Sequence, residues 1–346
     1  MSGGETLRVA RSFMGALDAN DAEGVRSWMA PGATWWVDTG LDRRAGRFGE
    51  DPGDERPWPL HGEMDAAEKS DLLAGVRERF PGGVRQAVRR AFAGDDIAVL
   101  EVAGDGMFLG ERPYRNRYCF VVRVGDGRVT QVREYLDTRH AASVFEGRNL
   151  DRRTELDAQQ FPTSPIIPTA HRREDPNRSD PDGFAAVRVL SATRAAAGVG
   201  VRLMAAISAA DEGAFRALFT PDATWWADGG ASRRWSDPEG PVDRDPELLV
   251  VGKVLVSQRA ARIPGLRESY RDGLRIDAHR IVVDDDVAAS GLVLVEAVSD
   301  GRRVANGRRY QNRYAFVLRL NAAGLVSEVR EYCDTQHAFD VYELPL

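Results

Sequence analysis

The chain carries the same sequence pattern twice. Ala33-Thr34-Trp35-Trp36-Val37-Asp38-Thr39-Gly40 returns 190 residues later as Ala223-Thr224-Trp225-Trp226-Ala227-Asp228-Gly229-Gly230. Tyr114-Arg115-Asn116-Arg117-Tyr118-Cys119-Phe120-Val121 returns as Tyr310-Gln311-Asn312-Arg313-Tyr314-Ala315-Phe316-Val317. Val132-Arg133-Glu134-Tyr135-Leu136-Asp137-Thr138-Arg139-His140 matches Val329-Arg330-Glu331-Tyr332-Cys333-Asp334-Thr335-Gln336-His337, by which point the offset is 197. Insertions in loops between matched elements produce such a drift. Each copy is therefore expected to be a complete domain, the first over residues 1–147 and the second over 183–346. Residues 148–182, with Pro162, Pro165, Pro168, Pro176 and Pro181 among many charges, read as an extended linker. Phe161 and Ile166-Ile167 would let part of it lie against a domain surface.

Within a copy the apolar spacing is helical first and strand-like afterwards. Leu7, Val9, Phe13 and Leu17, and Val199, Leu203 and Ile207, fall near a helical period. Strands are predicted over 34–37, 84–92, 97–103, 114–124 and 129–136, with a hairpin turn at Asp126-Gly127 and a helix over 65–79. Helices followed by a meander give an α+β domain: a curved antiparallel sheet, cone-shaped, with the N-terminal helices on one face and a pocket inside.

Composition narrows the partners. With 47 basic and 53 acidic groups the net charge is -6, which offers no broad positive field for nucleic acid. No apolar run is long enough to span a bilayer, and Met1 to Leu17 mixes Arg and Glu with apolar residues, so a cytoplasmic protein with no membrane partner is expected. Cys119 and Cys333 do not occupy matching places and read as reduced thiols. Gly198-Val199-Gly200 lies inside a helical pattern, and no phosphate loop or nucleophile elbow occurs, so no cofactor is expected. His140 and His337 follow the aspartates by three residues, but no third ligand recurs and no metal is expected.

The helical start, Ala-Thr-Trp-Trp, Asn-Arg-Tyr-x-Phe-Val and Val-Arg-Glu-Tyr-x-Asp-Thr-x-His resemble the SnoaL-like branch of the nuclear transport factor two and ketosteroid isomerase superfold, in both copies. The resemblance implies the fold and leaves the chemistry open, because the superfold hosts isomerases, polyketide cyclases, epoxide hydrolases and binding proteins. Ketosteroid isomerases place a tyrosine where this chain has Phe13 and Leu203, and an aspartate where it has Val37 and Ala227. The Asp-Arg-Asp set of limonene epoxide hydrolases finds only its last member, at Asp137 and Asp334. SnoaL-type cyclases also use an aspartate from this late region. Since domains of this superfold pair through their sheets, the two copies are expected to form an intramolecular pseudo-dimer in a monomeric chain, through the face bearing Arg117, Arg123, Arg313 and Arg319.

The candidate catalytic residues are thus Asp137 and Asp334, Glu101 and Glu296, and Tyr118 and Tyr314. Asp137-Thr138 also suits the N-cap of a following helix. Glu101 and Glu296 lie in apolar strands; they either face the pocket, pairing with the aspartates for acid/base work, or face away, pairing with Arg117 or Arg123. Candidate substrate-binding residues are Asn116, Asn312, Trp36, Trp226, Asp38, Asp228, His140, His337, Trp58 and His61. The expected activity is a cyclase or isomerase moving protons on a polyketide- or terpenoid-like small hydrophobic substrate in natural-product metabolism. Epoxide opening and noncatalytic small-molecule binding or scaffolding are the alternatives. The longer loop with Trp58 and His61 favours the first copy as the main site.

Overall fold

Local signals start the helices. The Ser2 hydroxyl accepts the Glu5 N–H at 3.4 Å and opens α1 (Gly3–Asp18), which turns Val9, Phe13, Met14 and Leu17 onto one buried face. Asp21 caps α2 (Ala22–Trp28) through the Gly24 N–H at 2.9 Å. The computed structural model describes residues 2–37, 63–145, 148–149, 154–155, 188–190, 194–228, 238–244 and 251–342. The chain divides into two compact units between Asp175 and Pro176, within the proline-rich stretch, most of which lies outside the described residues.

In the first unit, β1 (Met29–Val37), β2 (Glu63–Asp65), α3 (Ala66–Ala74) and α4 (Val76–Arg79) follow the first two helices. Then come β3 (Val84–Gly94), β4 (Ile97–Phe108), β5 (Arg112–Tyr114), β6 (Arg117–Gly125), β7 (Arg128–Leu136) and α5 (Thr138–Phe145). The expected helix over 65–79 is broken at Gly75. The turn between β6 and β7 carries Asp126 and Gly127 at φ 51° and 73°, the two positive values that a type I′ hairpin requires. The sheet runs β2-β1-β7-β6-β4-β3, with β5 on β4. It is mixed rather than purely antiparallel, because β1 lies parallel to β7 with Trp35 opposite Val132. The intervening meander supplies the long connection that a parallel pair needs. Bulges between Met29 and Thr34, Val88 and Arg90, and Arg123 and Val124 add the bends that curl the sheet over α1.

After β8 (Arg148–Asn149) and β9 (Thr154–Glu155), which pair with each other, the second unit repeats the design. It comprises β10 (Arg188–Leu190), α6 (Arg194–Ser208), α7 (Glu212–Arg216), β11 (Phe219–Ala227), β12 (Gly252–Leu255), α8 (Val256–Ala260), α9 (Leu266–Ser269) and β13 (Tyr270–Val283). It closes with α10 (Val287–Ser290), β14 (Leu292–Arg303), β15 (Arg309–Tyr310), β16 (Arg313–Leu320), β17 (Val326–Cys333) and α11 (Thr335–Tyr342). The order β12-β11-β17-β16-β14-β13 is that of the first unit, again with β11 parallel to β17. Gly200 lets α6 sit close on the sheet, since a Cβ there would stand 2.5 Å from Val295 Cγ2. No helix among the described residues is long and apolar enough to cross a membrane.

Both units place one ion pair on the sheet face turned away from the helices. Matching bulges, at Val88/Arg90 and Ala278/Arg280, bring Arg90 Nε to 3.0 Å from Glu101 and Arg280 Nη1 to 2.9 Å from Glu296. Glu101 and Glu296 therefore face away from the helix-covered core, and their partners lie on β3 and β13 rather than at Arg117 or Arg123. Glu296 is fully buried and Arg280 almost so. A buried charge stripped of its partner is costly, so Glu296→Ala should lower stability in chemical denaturation by about 3–5 kcal/mol. A loss below about 1 kcal/mol, the range of an exposed pair, would contradict this role.

Candidate active site

Alternation along β7 puts Val132, Glu134 and Leu136 on the inner, helix-covered face and Arg133 and Tyr135 on the other. A carboxylate set among core residues needs donors. Trp35 Nε1 donates to Glu134 Oε2 at 2.7 Å, and Lys69 Nζ approaches the same oxygen at 3.2 Å while standing 4.2 Å over the Trp35 ring. The second unit repeats the arrangement with a different cation. Trp225 Nε1 donates to Glu331 Oε2 at 2.7 Å, and Arg259 Nη2 donates at 2.6 Å from a guanidinium 4.6 Å over the Trp225 ring. The parallel register positions both indoles, since Val37 is opposite Glu134 and Ala227 opposite Glu331. The cation comes from the first turn of α3 or α8, whose start is fixed when Glu68 or Gln258 accepts the N–H of Asp65 or Leu255.

Beside each carboxylate runs a chain of hydroxyls. Asn312 Oδ1 accepts the backbone N–H groups of Arg313 (2.9 Å) and Asp334 (3.3 Å), which fixes the amide orientation. Its Nδ2 then donates to the Asp334 carbonyl (3.0 Å) and to the Tyr310 hydroxyl (3.3 Å). The Tyr310 and Tyr314 hydroxyls lie 2.7 Å apart, and with Tyr310 as the donor the chain runs on to Tyr314. The Tyr314 proton is left for Ser299 Oγ, 3.3 Å away, or for a ligand. Asn116, Tyr114 and Tyr118 make the same chain in the first unit, at 3.2 Å and 2.7 Å. Burial, the largest cause, pushes the Tyr118, Tyr310 and Tyr314 phenols well above their usual range, and nearby Glu134 and Glu331 add to it for Tyr118 and Tyr314. These tyrosines are neutral donors at physiological pH.

The carboxylate and the relay border one cavity in each unit, but the two differ in size. The second unit encloses about 470 Å³, bordered by Trp225, Asp228, Arg259, Tyr314, Glu331 and Cys333 among others. The first encloses about 100 Å³ beside Trp35, Lys69, Gln86, Tyr118 and Glu134. Only the larger lies in the range of small-molecule sites. Cys333 stands where the first unit has the larger Leu136, buried in its core. Among the described residues the ligand-sized cavity is that of the second unit, while residues 38–62 of the first unit, with the loop that favoured it, lie outside the described residues.

Of the residues expected from the sequence, Tyr118, Tyr314 and Asp228 line these cavities. Asp137 and Asp334 are buried and line neither; each takes the N–H of the histidine three residues on, at 3.0 Å, and so caps α5 or α11. Asn116 and Asn312 lock the strand start and feed the tyrosine chain. Trp36 and Trp226 point to the opposite face and pack edge-on against Tyr135 and Tyr332, so the cavity indoles are their neighbours Trp35 and Trp225. His140 and His337 are buried rather than at the rim or surface. Their Nε2 atoms accept the Arg115 and Gln311 N–H groups at 3.0 and 3.1 Å, and their rings stack on Tyr114 and Tyr310. Asp38, Trp58 and His61 lie outside the described residues. Sequence reasoning missed Glu134, Glu331, Lys69, Arg259, Trp35 and Trp225. The available signal was Glu134 in phase with Val132 and Leu136, an acidic residue on an apolar face.

The family model for the SnoaL-like domain matches residues 201–329. No curated protein matches the chain. Among solved structures, TerC co-crystallised with polyporic acid is 19% identical over 40% of this chain and 97% of its own, with a TM-score of 0.32. Wild-type IdmH, a putative polyketide cyclase from Streptomyces antibioticus, is 18% identical over 39% and 93%, at 0.30. An M. tuberculosis LEH-like epoxide hydrolase is 20% identical over 40% and 86%, also at 0.30.

The buried phenols carry a pH signature. Below the ordinary phenol value of 10.0 they are neutral folded or unfolded, so they leave stability flat there. Above it the unfolded chain releases protons that the folded chain keeps, and stability falls as pH rises through and beyond that value. An alkaline titration followed by phenolate absorbance should show Tyr118, Tyr310 and Tyr314 ionising only on unfolding. All eight tyrosines titrating near 10 in a folded protein would contradict their burial.

Proposed function

We propose that the chain is a tandem of SnoaL-like domains, of which the family model matches residues 201–329, and that the second unit is an acid/base enzyme for a small hydrophobic molecule, a cyclase or isomerase of polyketide- or terpenoid-like substrates. The observation that carries this reading is a carboxylate, Glu331, and a proton-donating phenol, Tyr314, bordering the same cavity of about 470 Å³. Glu331 accepts a proton from carbon next to a carbonyl. Tyr314, its own oxygen already supplied by Tyr310, donates to the enolate oxygen that develops, and the proton then returns to another atom of the same substrate. Arg259 and Trp225 keep the carboxylate in place through their hydrogen bonds to Oε2. The apolar wall of Ile207, Phe215, Leu274, Ile276 and Phe316 would receive the hydrocarbon body. A second reading, epoxide opening, draws on Asp228 as another carboxylate on the same cavity, one to activate water and one to steer it.

A bicyclic aromatic ketone, α-tetralone, tests the proton-transfer step. In deuterated buffer the full chain should speed exchange of its α C–H, read by NMR, and Glu331→Gln should slow the protein-dependent rate by about a hundredfold or more. Glutamine still offers an oxygen to the Trp225 indole, so the fold is kept. Exchange no faster than in buffer, with the ketone bound, would make the second unit a binding protein instead.

A further inference from the structure

The second unit has a tyrosine pair that the first lacks. Tyr270 and Tyr342 hydrogen-bond through their hydroxyls, at the positions that Phe80 and Phe145 occupy in the first unit. Tyr342 borders the cavity and its ring meets Tyr310 edge-on, with centroids 5.3 Å apart. Arg303 stands 4.5 Å over the Tyr342 ring and 5.6 Å over that of Tyr270. The buried Arg303 Nε has no hydrogen-bond acceptor among the described residues. Two hydroxyls bonded to each other use one proton between them and leave one to give. With Tyr270 donating, the remaining proton belongs to Tyr342, the member of the pair that faces the cavity. The half-buried Tyr342 hydroxyl thus has a proton to offer toward the cavity, and a ligand oxygen there would accept it.

We propose that Tyr342, backed by Tyr270 and Arg303, is a second oxygen-binding subsite of this cavity, holding a carbonyl, phenol or enolate oxygen across the Tyr310 ring from the oxygen that Tyr314 holds. The ligand is then an aromatic or polycyclic body bearing at least two oxygens. This rests on the second cavity being a small-molecule site, and it names which molecules the site prefers. The first unit, with phenylalanine at both positions, keeps only the Tyr114–Tyr118 donor. It also shows that the fold tolerates phenylalanine there.

The test compares naphthoresorcinol, with two hydroxyl groups, and α-naphthol, with one, titrated into the full chain and read by tryptophan fluorescence. One further hydrogen bond in a buried site should make the wild-type chain bind naphthoresorcinol about five- to tenfold more tightly. Tyr342→Phe should abolish that preference and leave the α-naphthol affinity within about twofold. An unchanged preference in Tyr342→Phe, no preference in the wild-type chain, or an equal loss for both probes would each overturn the subsite. The binding readout is independent of α-tetralone exchange, so catalysis can fail while the subsite stands, and the reverse.

Discussion

A carboxylate inside a hydrophobic core is expensive, and this chain places one in each half on the inner face of the last strand. Glu134 and Glu331 are tolerated because each meets an indole N–H and a cation that itself lies on the indole ring. That triple contact joins three elements far apart in sequence: the strand bearing the tryptophans, the capped helix after it and the final strand. Truncating any one member would strand a buried charge or donor. The parallel pairing of β1 with β7, and of β11 with β17, is the geometry that lets these residues meet.

From this shared anchor the two halves diverge by a few side chains. Lysine becomes arginine, Leu136 becomes Cys333, and Phe80 and Phe145 become Tyr270 and Tyr342. Among the described residues the first half keeps a cavity of only about 100 Å³, room for a few waters. The second gains both volume and hydroxyl donors. Duplication gives such freedom, because one copy can keep the packing of the fold while the other keeps the space.

The repeat, the helix-then-sheet order and the Asp126-Gly127 turn were legible because each depends on local pattern. What the sequence hid depends on register. Trp35 and Trp36 differ only in which face they take, and the choice is made by pairing with a strand about a hundred residues away. The conspicuous Asp137 and Asp334 draw attention as acids, yet a short helix follows each and claims its oxygen, so the capping alternative describes what they do in the fold. The histidines looked titratable and accessible but serve as acceptors for a backbone N–H. Lys69 and Arg259 gave no sign at all, since a cation in the first turn of an amphipathic helix ordinarily points to solvent.

The anchor is best tested through its own protons. The chain has seven tryptophans, and the indole N–H groups of Trp35 and Trp225 each donate to a buried carboxylate. Hydrogen exchange of the indole resonances, measured by nitrogen-resolved NMR, should find these two strongly protected, with Trp225 losing protection in Glu331→Ala and Trp35 in Glu134→Ala. Rapid exchange of both in the wild-type chain, at the rate of an exposed indole, would contradict the arrangement on which the account of both cavities stands.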